Sequence, residues 1–166
     1  KNTLLFNLDI SNNNILSISK DILELKYLRN LDFSYNKLMT FGAYIQELRS
    51  LRKLDISNNE ISSMIAFKPM RNLEVLNISN NKIEKFSTEF YLMKKLKKIN
   101  LSGNEISSIN EIVYKMRKVE LLDLSNNNLK DIPKNLSKLN KLKLLNLSGN
   151  PLPQKVIDDL RKKMPN

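Results

Sequence analysis

The side chains that could do chemistry in this chain are carboxylates, amides, hydroxyls, guanidinium groups and amines, since its 166 residues include neither cysteine nor histidine. Cysteine nucleophiles, serine–histidine pairs and zinc sites built on histidine or cysteine are therefore excluded for this sequence. No residues show the pattern of a nucleophile with its base, or of two acids sharing one site. We expect no enzymatic activity, no cofactor, no metal and no small-molecule substrate.

Three aspartates, Asp9, Asp32 and Asp55, recur at one spacing and could offer Ca²⁺ the oxygen ligands that it prefers. Asparagines replace aspartate at most later positions of the row. No turning loop is present to gather six or more oxygens around one point. The sequence therefore argues against calcium binding.

The spacing of these aspartates follows an eleven-residue phrase, whose clearest copy is Leu51-Arg-Lys-Leu-Asp-Ile-Ser-Asn-Asn-Glu-Ile61. Leucine or another apolar residue stands at positions 1, 4, 6 and 11 of the phrase, and asparagine stands at position 9. Successive copies are 22 or 23 residues apart. The seven copies begin at Leu5, Leu28, Leu51, Leu73, Leu96, Val119 and Leu142.

This pattern, L-x-x-L-x-L-x-x-N-x-L at a fixed period, resembles the leucine-rich repeat family over nearly the whole chain. The resemblance implies an α/β fold: a right-handed solenoid with a parallel β-sheet on its concave face and short helical or 3₁₀ segments on its convex face. The return Ile132–Leu139 is similar to the L-P-x-x-L-x-x-L segment of bacterial and Ras-related members. The chain as a whole resembles secreted or surface-exposed bacterial members, including those of spirochaetes, which end in a similar proline and short helix.

The residues themselves predict the same architecture. Positions 4 to 6 alternate apolar, polar and apolar, which predicts a short strand, and returns of about a dozen residues require the strands to run parallel. Each return also carries apolar residues that should face the core from the convex side. In five returns these are Ile18, Ile22 and Leu25; Phe41, Ile45 and Leu48; Phe86, Phe90 and Met93; Ile109, Val113 and Met116; Ile132, Leu136 and Leu139.

Two segments depart from the repeat. The third return, Met64–Met70, is one residue short and contains Pro69, so we expect it to be tighter and less helical than its neighbours. After residue 152, Val156, Ile157, Leu160 and Met164 fall on one face of a predicted helix. We expect residues 1–152 to form the seven repeats and residues 153–166 to form a C-terminal cap over the core. Residues 1–4 are too few for an N-terminal cap, so we expect a cap that has been removed or repeats that continue upstream.

The asparagines at position 9 are predicted to be structural. An amide both donates and accepts hydrogen bonds, so it can satisfy the backbone groups that a tight turn buries. The row consists of Asn13, Asn36, Asn59, Asn81, Asn104, Asn127 and Asn150.

Positions 3, 5, 7 and 8 should point outward and form the concave face. Tyrosine interrupts the Asn or Gly of position 8, and apolar residues occupy several copies of position 3, where they cannot reach the core. We therefore expect a protein-binding strip there, with a scatter of ordinary surface residues as the alternative. Its residues are Tyr35, Lys53, Asp55, Val75, Lys98 and Leu121. Seven strands with five surface residues each would give a strip ~30 Å by ~16 Å, or about 500 Å², which suits a protein surface or an extended peptide.

The net charge of +11 indicates acidic partners, although it could also reflect the base composition of the genome. Cations follow the convex apolar residues of five consecutive returns, and Lys95, Lys118 and Lys141 lie close by. We name the five residues the basic ladder: Lys26, Arg49, Arg71, Lys94 and Arg117. Stacked like charges repel, so the ladder is either solvated or balanced by an anion such as an acidic protein, a sulfated polysaccharide or nucleic acid.

The sequence therefore predicts a non-catalytic, monomeric protein-binding module, plausible as a secreted or surface protein of a bacterium that engages host components. The alternative is polyanion binding or adhesion through the basic ladder. No apolar run reaches the roughly 18 residues of a membrane span, and the absence of cysteine fits either bacterial secretion or a cytoplasmic location.

Overall fold

A computed structural model describes residues 4–64 and 68–164. Within these ranges seven three-residue strands form one parallel sheet, and each strand pairs with the next along the chain. Position 4 of one phrase pairs with position 4 of the next, as Leu31 does with Leu54. The strands are β1 (Asn7–Asp9), β2 (Asn30–Asp32), β3 (Lys53–Asp55), β4 (Val75–Asn77), β5 (Lys98–Asn100), β6 (Leu121–Asp123) and β7 (Leu144–Asn146). The seven phrases are neighbouring coils of one solenoid, which confirms the predicted fold.

The core is built from columns of identical phrase positions. Leu54 and Ile56, at positions 4 and 6 of the third phrase, are fully buried, and so are Leu76 and Ile78 in the fourth. Because the coils stack in register, each aliphatic side chain packs against its counterparts above and below. A single coil would leave both of these faces in water, which makes the stack the unit of stability.

Short 3₁₀ helices form the convex returns. They span Lys20–Glu24, Ile45–Glu47, Thr88–Leu92, Glu111–Lys115 and Lys134–Lys138. Three of them begin after a polar cap: the side chains of Ser19, Ser87 and Asn110 each accept a hydrogen bond from the backbone N–H two residues later. The predicted inward-facing apolar residues are buried in four of the five returns, and those of the first return are partly buried.

The third return falls partly on residues 65–67, which lie outside the described residues. Met64 and residues 68–70 on either side carry no helix, in keeping with the effect expected of Pro69.

The repeat pattern is followed by helix α1, Gln154–Lys163. Its residues Val156 and Leu160 pack against the core. Arg161, Lys162 and Lys163 occupy its last turn, where the helix dipole favours cations. No helix within residues 4–64 and 68–164 has the length and apolar character needed to cross a bilayer.

Candidate binding surfaces

The strands all run in one direction, so the solenoid has two different rims. We call the rim where the strands begin the amino rim and the rim where they end the carboxyl rim. The concave face, made by the outward side chains of the strands, lies between them. The sequence placed candidate residues on all three surfaces.

The position-9 asparagines line the inside of the carboxyl rim. Asn81, which is 7% exposed, donates through Nδ2 to the carbonyl oxygens of Ile78 and Ser79 in its own repeat and of Ile56 in the repeat before. Its Oδ1 accepts from the backbone N–H of Ile61 at 3.0 Å. One amide thus satisfies four backbone groups from two repeats and joins the repeats together.

The same set of bonds recurs at Asn36, Asn59, Asn104 and Asn127. Asn150 bonds in the same way across two repeats and is half-buried. Asn13, in the first repeat, is exposed and bonds to the carbonyl oxygens of Ile10 and Ser11. The side chains of this row are committed to the turn, so they are not available to a partner.

Position 8, immediately before these asparagines, has a left-handed backbone in every repeat. Asparagine or glycine occupies six of the seven copies, and both adopt positive φ readily. The exception is Tyr35, with φ of 54° and a side chain that is 56% exposed. A bulky residue in this region is a conformational outlier.

The concave row at position 3 is continuous in space. Lys53, Val75, Lys98 and Leu121 lie on consecutive strands and pair in register. Leu144 extends the row and is 47% exposed. Tyr35 does not belong to this row. It lies in the turn that follows β2, on the carboxyl-rim side, and β2 is two strands away from β4, which contains Val75.

The position-5 row is held by local hydrogen bonds. Asp55 accepts from both the backbone N–H and the hydroxyl of Ser57, and from the amide of Asn77 on the next strand. At Asp9, a hydrogen bond from the backbone N–H of Ser11 lowers the pKa of the carboxyl. No three acidic side chains within the described ranges converge on a point that could hold a metal ion.

The expectation that position 7 faces outward is wrong. Ser34, Ser57, Ser79 and Ser125 are buried. The strand ends at position 5, and the chain then turns inward, so the alternation of faces stops before position 7. The paired strands are three residues wide rather than five, which gives a strip ~10 Å across and about 300 Å² in area.

The amino rim carries most of the net positive charge of the protein. It consists of the two residues before each phrase and the second residue of each phrase, and Arg49, Arg52, Asn72 and Lys95 line one shallow depression there. The rim includes the whole basic ladder and further cations from the other two positions: Arg29, Arg52, Lys95, Lys97, Lys118, Lys141 and Lys143. Two carboxylates, Glu74 and Glu120, also lie at these positions. With twelve cations the rim has a net charge of +10, compared with +11 for the whole chain.

Both carboxylates are paired with rim lysines. Lys97 donates to Glu74 at 2.9 Å and Lys143 donates to Glu120 at 2.8 Å. These hydrogen bonds, followed by the lysine charges, lower the pKa of both carboxyls, while the bond to Glu74 raises the pKa of Lys97. The remaining rim cations exceed what two glutamates can balance.

A cleft of about 520 Å³ opens where the amino rim meets the convex face. We call it the Tyr–Lys cleft, and its polar lining is Tyr91, Lys94, Tyr114, Lys115, Arg117 and Lys118. Sequence reasoning placed Lys94, Arg117 and Lys118 near one another but did not recognise the tyrosines. The available signal was that Tyr91 and Tyr114 are separated by 23 residues, one repeat, and so stack on adjacent coils.

A family model described as leucine rich repeat matches residues 3–61, 63–106 and 94–152. These matches cover most of the sequence, and the chain belongs to the leucine-rich repeat family. No curated protein matches it.

Solved structures with the same fold come from bacteria and plants. A leucine-rich repeat protein of Leptospira interrogans is 25% identical with a TM-score of 0.75, over 98% of this chain and 54% of that one. An internalin of Listeria monocytogenes is 19% identical with a TM-score of 0.71, over 97% and 53%. The ectodomain of a plant membrane receptor kinase of Arabidopsis thaliana, in complex with Casparian strip integrity factor 2, is 22% identical with a TM-score of 0.80, over 96% and 20%. The chain spans about half the length of the two bacterial proteins.

Proposed function

We propose that this chain is a non-catalytic module that binds a protein on its concave face, in a bacterial protein that is secreted or exposed at the cell surface and engages host components. Support comes from the family, whose fold is typically used for protein interaction, and from the bacterial structures that share it. The binding strip consists of Tyr35, Lys53, Asp55, Val75, Lys98 and Leu121.

The observation that carries the proposal is the backbone of Tyr35. Holding a bulky side chain in the left-handed region costs about 1–2 kcal/mol. Glycine and asparagine, which tolerate this region, occupy the position in the other six repeats. The exposed ring recovers little of that cost by packing. Strain of this kind is typical of residues that are kept for binding.

The position-3 row supplies the second part of the strip. Val75 and Leu121 are held outward by the strand register, on the side opposite the core. Their burial against a partner would remove apolar surface from water without disturbing the solenoid. The strip is smaller than the ~800 Å² per side of a typical specific interface, so the partner also covers part of a rim.

A paired substitution tests the strip. Tyr35→Glu with Val75→Glu places one carboxylate on the concave face and one beside it on the carboxyl-rim side, and Leu16→Glu with Met39→Glu places two at exposed apolar residues outside the strip. We expect proteins from a host cell-surface preparation to be captured by the unmodified chain and by the Leu16/Met39 variant, but not by the Tyr35/Val75 variant. Equal capture by all three chains would show that the strip is not the surface that binds the partner.

A second substitution separates strain from contact. Tyr35→Asn should raise the free energy of unfolding by about 0.5–1 kcal/mol, because asparagine tolerates positive φ, while it weakens partner capture. The stability is measured by chemical denaturation. A loss of stability on this substitution would mean that the tyrosine is structural.

The amino rim supports polyanion binding as a second function. Its net charge of +10 lies along one side of the solenoid, and like charges in adjacent coils repel one another unless an anion balances them. Salt distinguishes the two functions. Anions held by the rim should be released by moderate salt, whereas a protein held by Tyr35, Val75 and Leu121 should remain bound.

A further inference from the structure

The Tyr–Lys cleft differs from the rest of the amino rim because aromatic rings contact its cations. The Lys115 Nζ lies 5.2 Å from the centroid of the Tyr91 ring in the preceding repeat, and the Lys94 Nζ lies 5.9 Å from the same centroid. One repeat further on, the Lys138 Nζ lies 5.6 Å from the Tyr114 centroid. Ammonium groups at these distances are attracted to the ring face, which restricts otherwise flexible side chains.

The cleft cations are not neutralised by acids. Across residues 4–64 and 68–164, no carboxylate lies within ion-pairing distance of Lys94, Lys115, Arg117 or Lys118. Lys94 instead donates to the backbone carbonyl of Tyr91 at 2.9 Å. Four cations are therefore gathered around a recess with no counter-charge from the chain itself.

The chemistry of the lining selects among polyanions. Single-stranded nucleic acid is held by bases that stack on exposed aromatic faces, but here the Tyr91 face is contacted by two ammonium groups and both tyrosines are half-buried. A flat lipid surface would reach the outermost cations and leave the recess unfilled. Three of the four cleft cations are lysines, which provide compact point charges rather than the planar fork with which arginine binds one anion in a fixed orientation.

A sulfated sugar polymer matches these features. Its sulfate groups would meet the ammonium groups that Tyr91 holds in place, and it needs no free aromatic face on which to stack. The rest of the amino rim extends from the cleft in both directions along the stack, at ~4.8 Å per coil, so it can follow a linear chain.

We propose that the Tyr–Lys cleft is the principal subsite for a linear sulfated polysaccharide that lies along the amino rim. The inference rests on the second proposed function, polyanion binding by this rim, and specifies its ligand and its strongest point of contact. It is independent of the concave strip.

The test uses the full chain and a heparin oligosaccharide of defined length, with binding measured by isothermal titration calorimetry at low salt. The cleft variant replaces Lys94, Lys115, Arg117 and Lys118 by glutamine. A control variant makes the same four-charge change away from the rim, at Lys20, Lys85, Lys155 and Arg161. We expect the cleft variant to lose at least about tenfold in affinity and the control about two- to threefold, because the control lowers only the overall field.

Tyr91→Leu tests the ring without changing any charge. We expect about a three- to tenfold loss, since the ammonium groups of Lys94 and Lys115 lose the ring that positions them. Circular dichroism confirms that each variant is folded. An unchanged affinity for Tyr91→Leu, or equal losses in the cleft and control variants, would overturn the cleft as a subsite and leave only a uniformly charged rim.

Three further ligands test the chemical class: desulfated heparin, single-stranded RNA, and vesicles that contain phosphatidylserine. We expect each to bind at least about tenfold more weakly than heparin at equal charge concentration. Equal or tighter binding by any of them would overturn the sulfated-polysaccharide assignment. Failure of every polyanion to bind at low salt would remove the rim function itself. The Tyr35/Val75 and Leu16/Met39 variants add the same two negative charges, so they should bind heparin equally well. A clearly larger loss of affinity in the Tyr35/Val75 variant would move the site to the concave face.

Discussion

The two rims of the solenoid run along the same stack of repeats but differ in what their residues do. At the carboxyl rim, residue identity is nearly constant, because each position-9 amide bonds to backbone groups that no other side chain of its size would satisfy. At the amino rim, the residue just before the phrase is leucine, tyrosine, serine, asparagine or lysine, and the main property that the rim residues share is positive charge. The residues that recur at the carboxyl rim therefore stabilise the fold, whereas those that recur at the amino rim give that surface its charge.

The largest expected effect is at the carboxyl rim. Asn81→Ala removes a side chain that satisfies four backbone groups, so it should lower the free energy of unfolding by about 1–3 kcal/mol. Asn128→Ala, one position beyond the row and exposed, is the matched control and should be nearly neutral. Both values come from denaturant titration, and equal stabilities would contradict the structural role of the row.

The next effect concerns the left-handed position of the same rim. Gly103 has φ of +63°, and a Cβ there would force the Asn80 side chain to turn away and give up its hydrogen bond to Asn58, so Gly103→Ala should cost somewhat more than the about 1–2 kcal/mol of backbone strain alone. Gly42→Ala is the control, because its φ of +72° is similar while its nearest neighbour, the Ile18 side chain, would be 3.5 Å away. If thermal melts rank Gly42→Ala as the more damaging change, the close packing of the carboxyl rim is not what restricts this position.

At the amino rim we expect substitutions to change binding rather than stability. Glu74→Gln with Glu120→Gln raises the net charge of the rim from +10 to +12 and should tighten heparin binding about threefold at low salt. Glu60→Gln with Glu105→Gln adds the same charge at the opposite side and serves as the control. A similar gain in heparin affinity in both double variants would show that binding depends on the total charge of the protein and not on the charge of the rim.

The smallest effect is a dependence on pH. The lysine hydrogen bonds lower the pKa of Glu74 and Glu120, so their stabilising contribution is complete above the ordinary carboxyl pKa and is lost as the pH falls through the lowered value. The melting temperature of the unmodified chain should exceed that of the Glu74/Glu120 double variant by a constant small margin from pH 7 to about pH 5. Below about pH 4 the margin should shrink, since the carboxylates become protonated. A margin that grows on acidification would mean that these pairs oppose folding.

Sequence reasoning recovered the repeats, the parallel sheet and the inward residues of the returns because each depends on burial, and burial imposes a fixed spacing on aliphatic residues. Leu54 or Phe90 can be assigned to the core from its position in the phrase alone. The same reasoning failed at position 7, where it extended the alternation of a strand beyond the point at which the backbone turns. The Ser57 hydroxyl donates to Asp55 inside that turn, and a run of polar residues in the sequence does not indicate this contact.

The candidate surfaces were predicted less completely. The basic ladder was visible as a list of cations, but its merger with Arg52 and Lys97 into one rim depends on how the chain enters each strand. The left-handed conformation of Tyr35 could be suspected from the asparagines and glycines at its counterparts, yet only the backbone angle shows the strain. The Tyr–Lys cleft joins residues of adjacent coils, so it exists only once the coils are stacked.

The amino-acid sequence by itself determined the period, the membership of the core and the presence of a large positive charge, because these follow from which residue types recur at which spacing. The tertiary structure alone decided that a net charge of +10, out of +11 for the chain, lies along one rim. It also decided that the concave strip is three residues wide and that Lys115 lies over Tyr91. Those properties depend on distances between side chains of different coils, and stacking sets these distances only after each coil has found its neighbours.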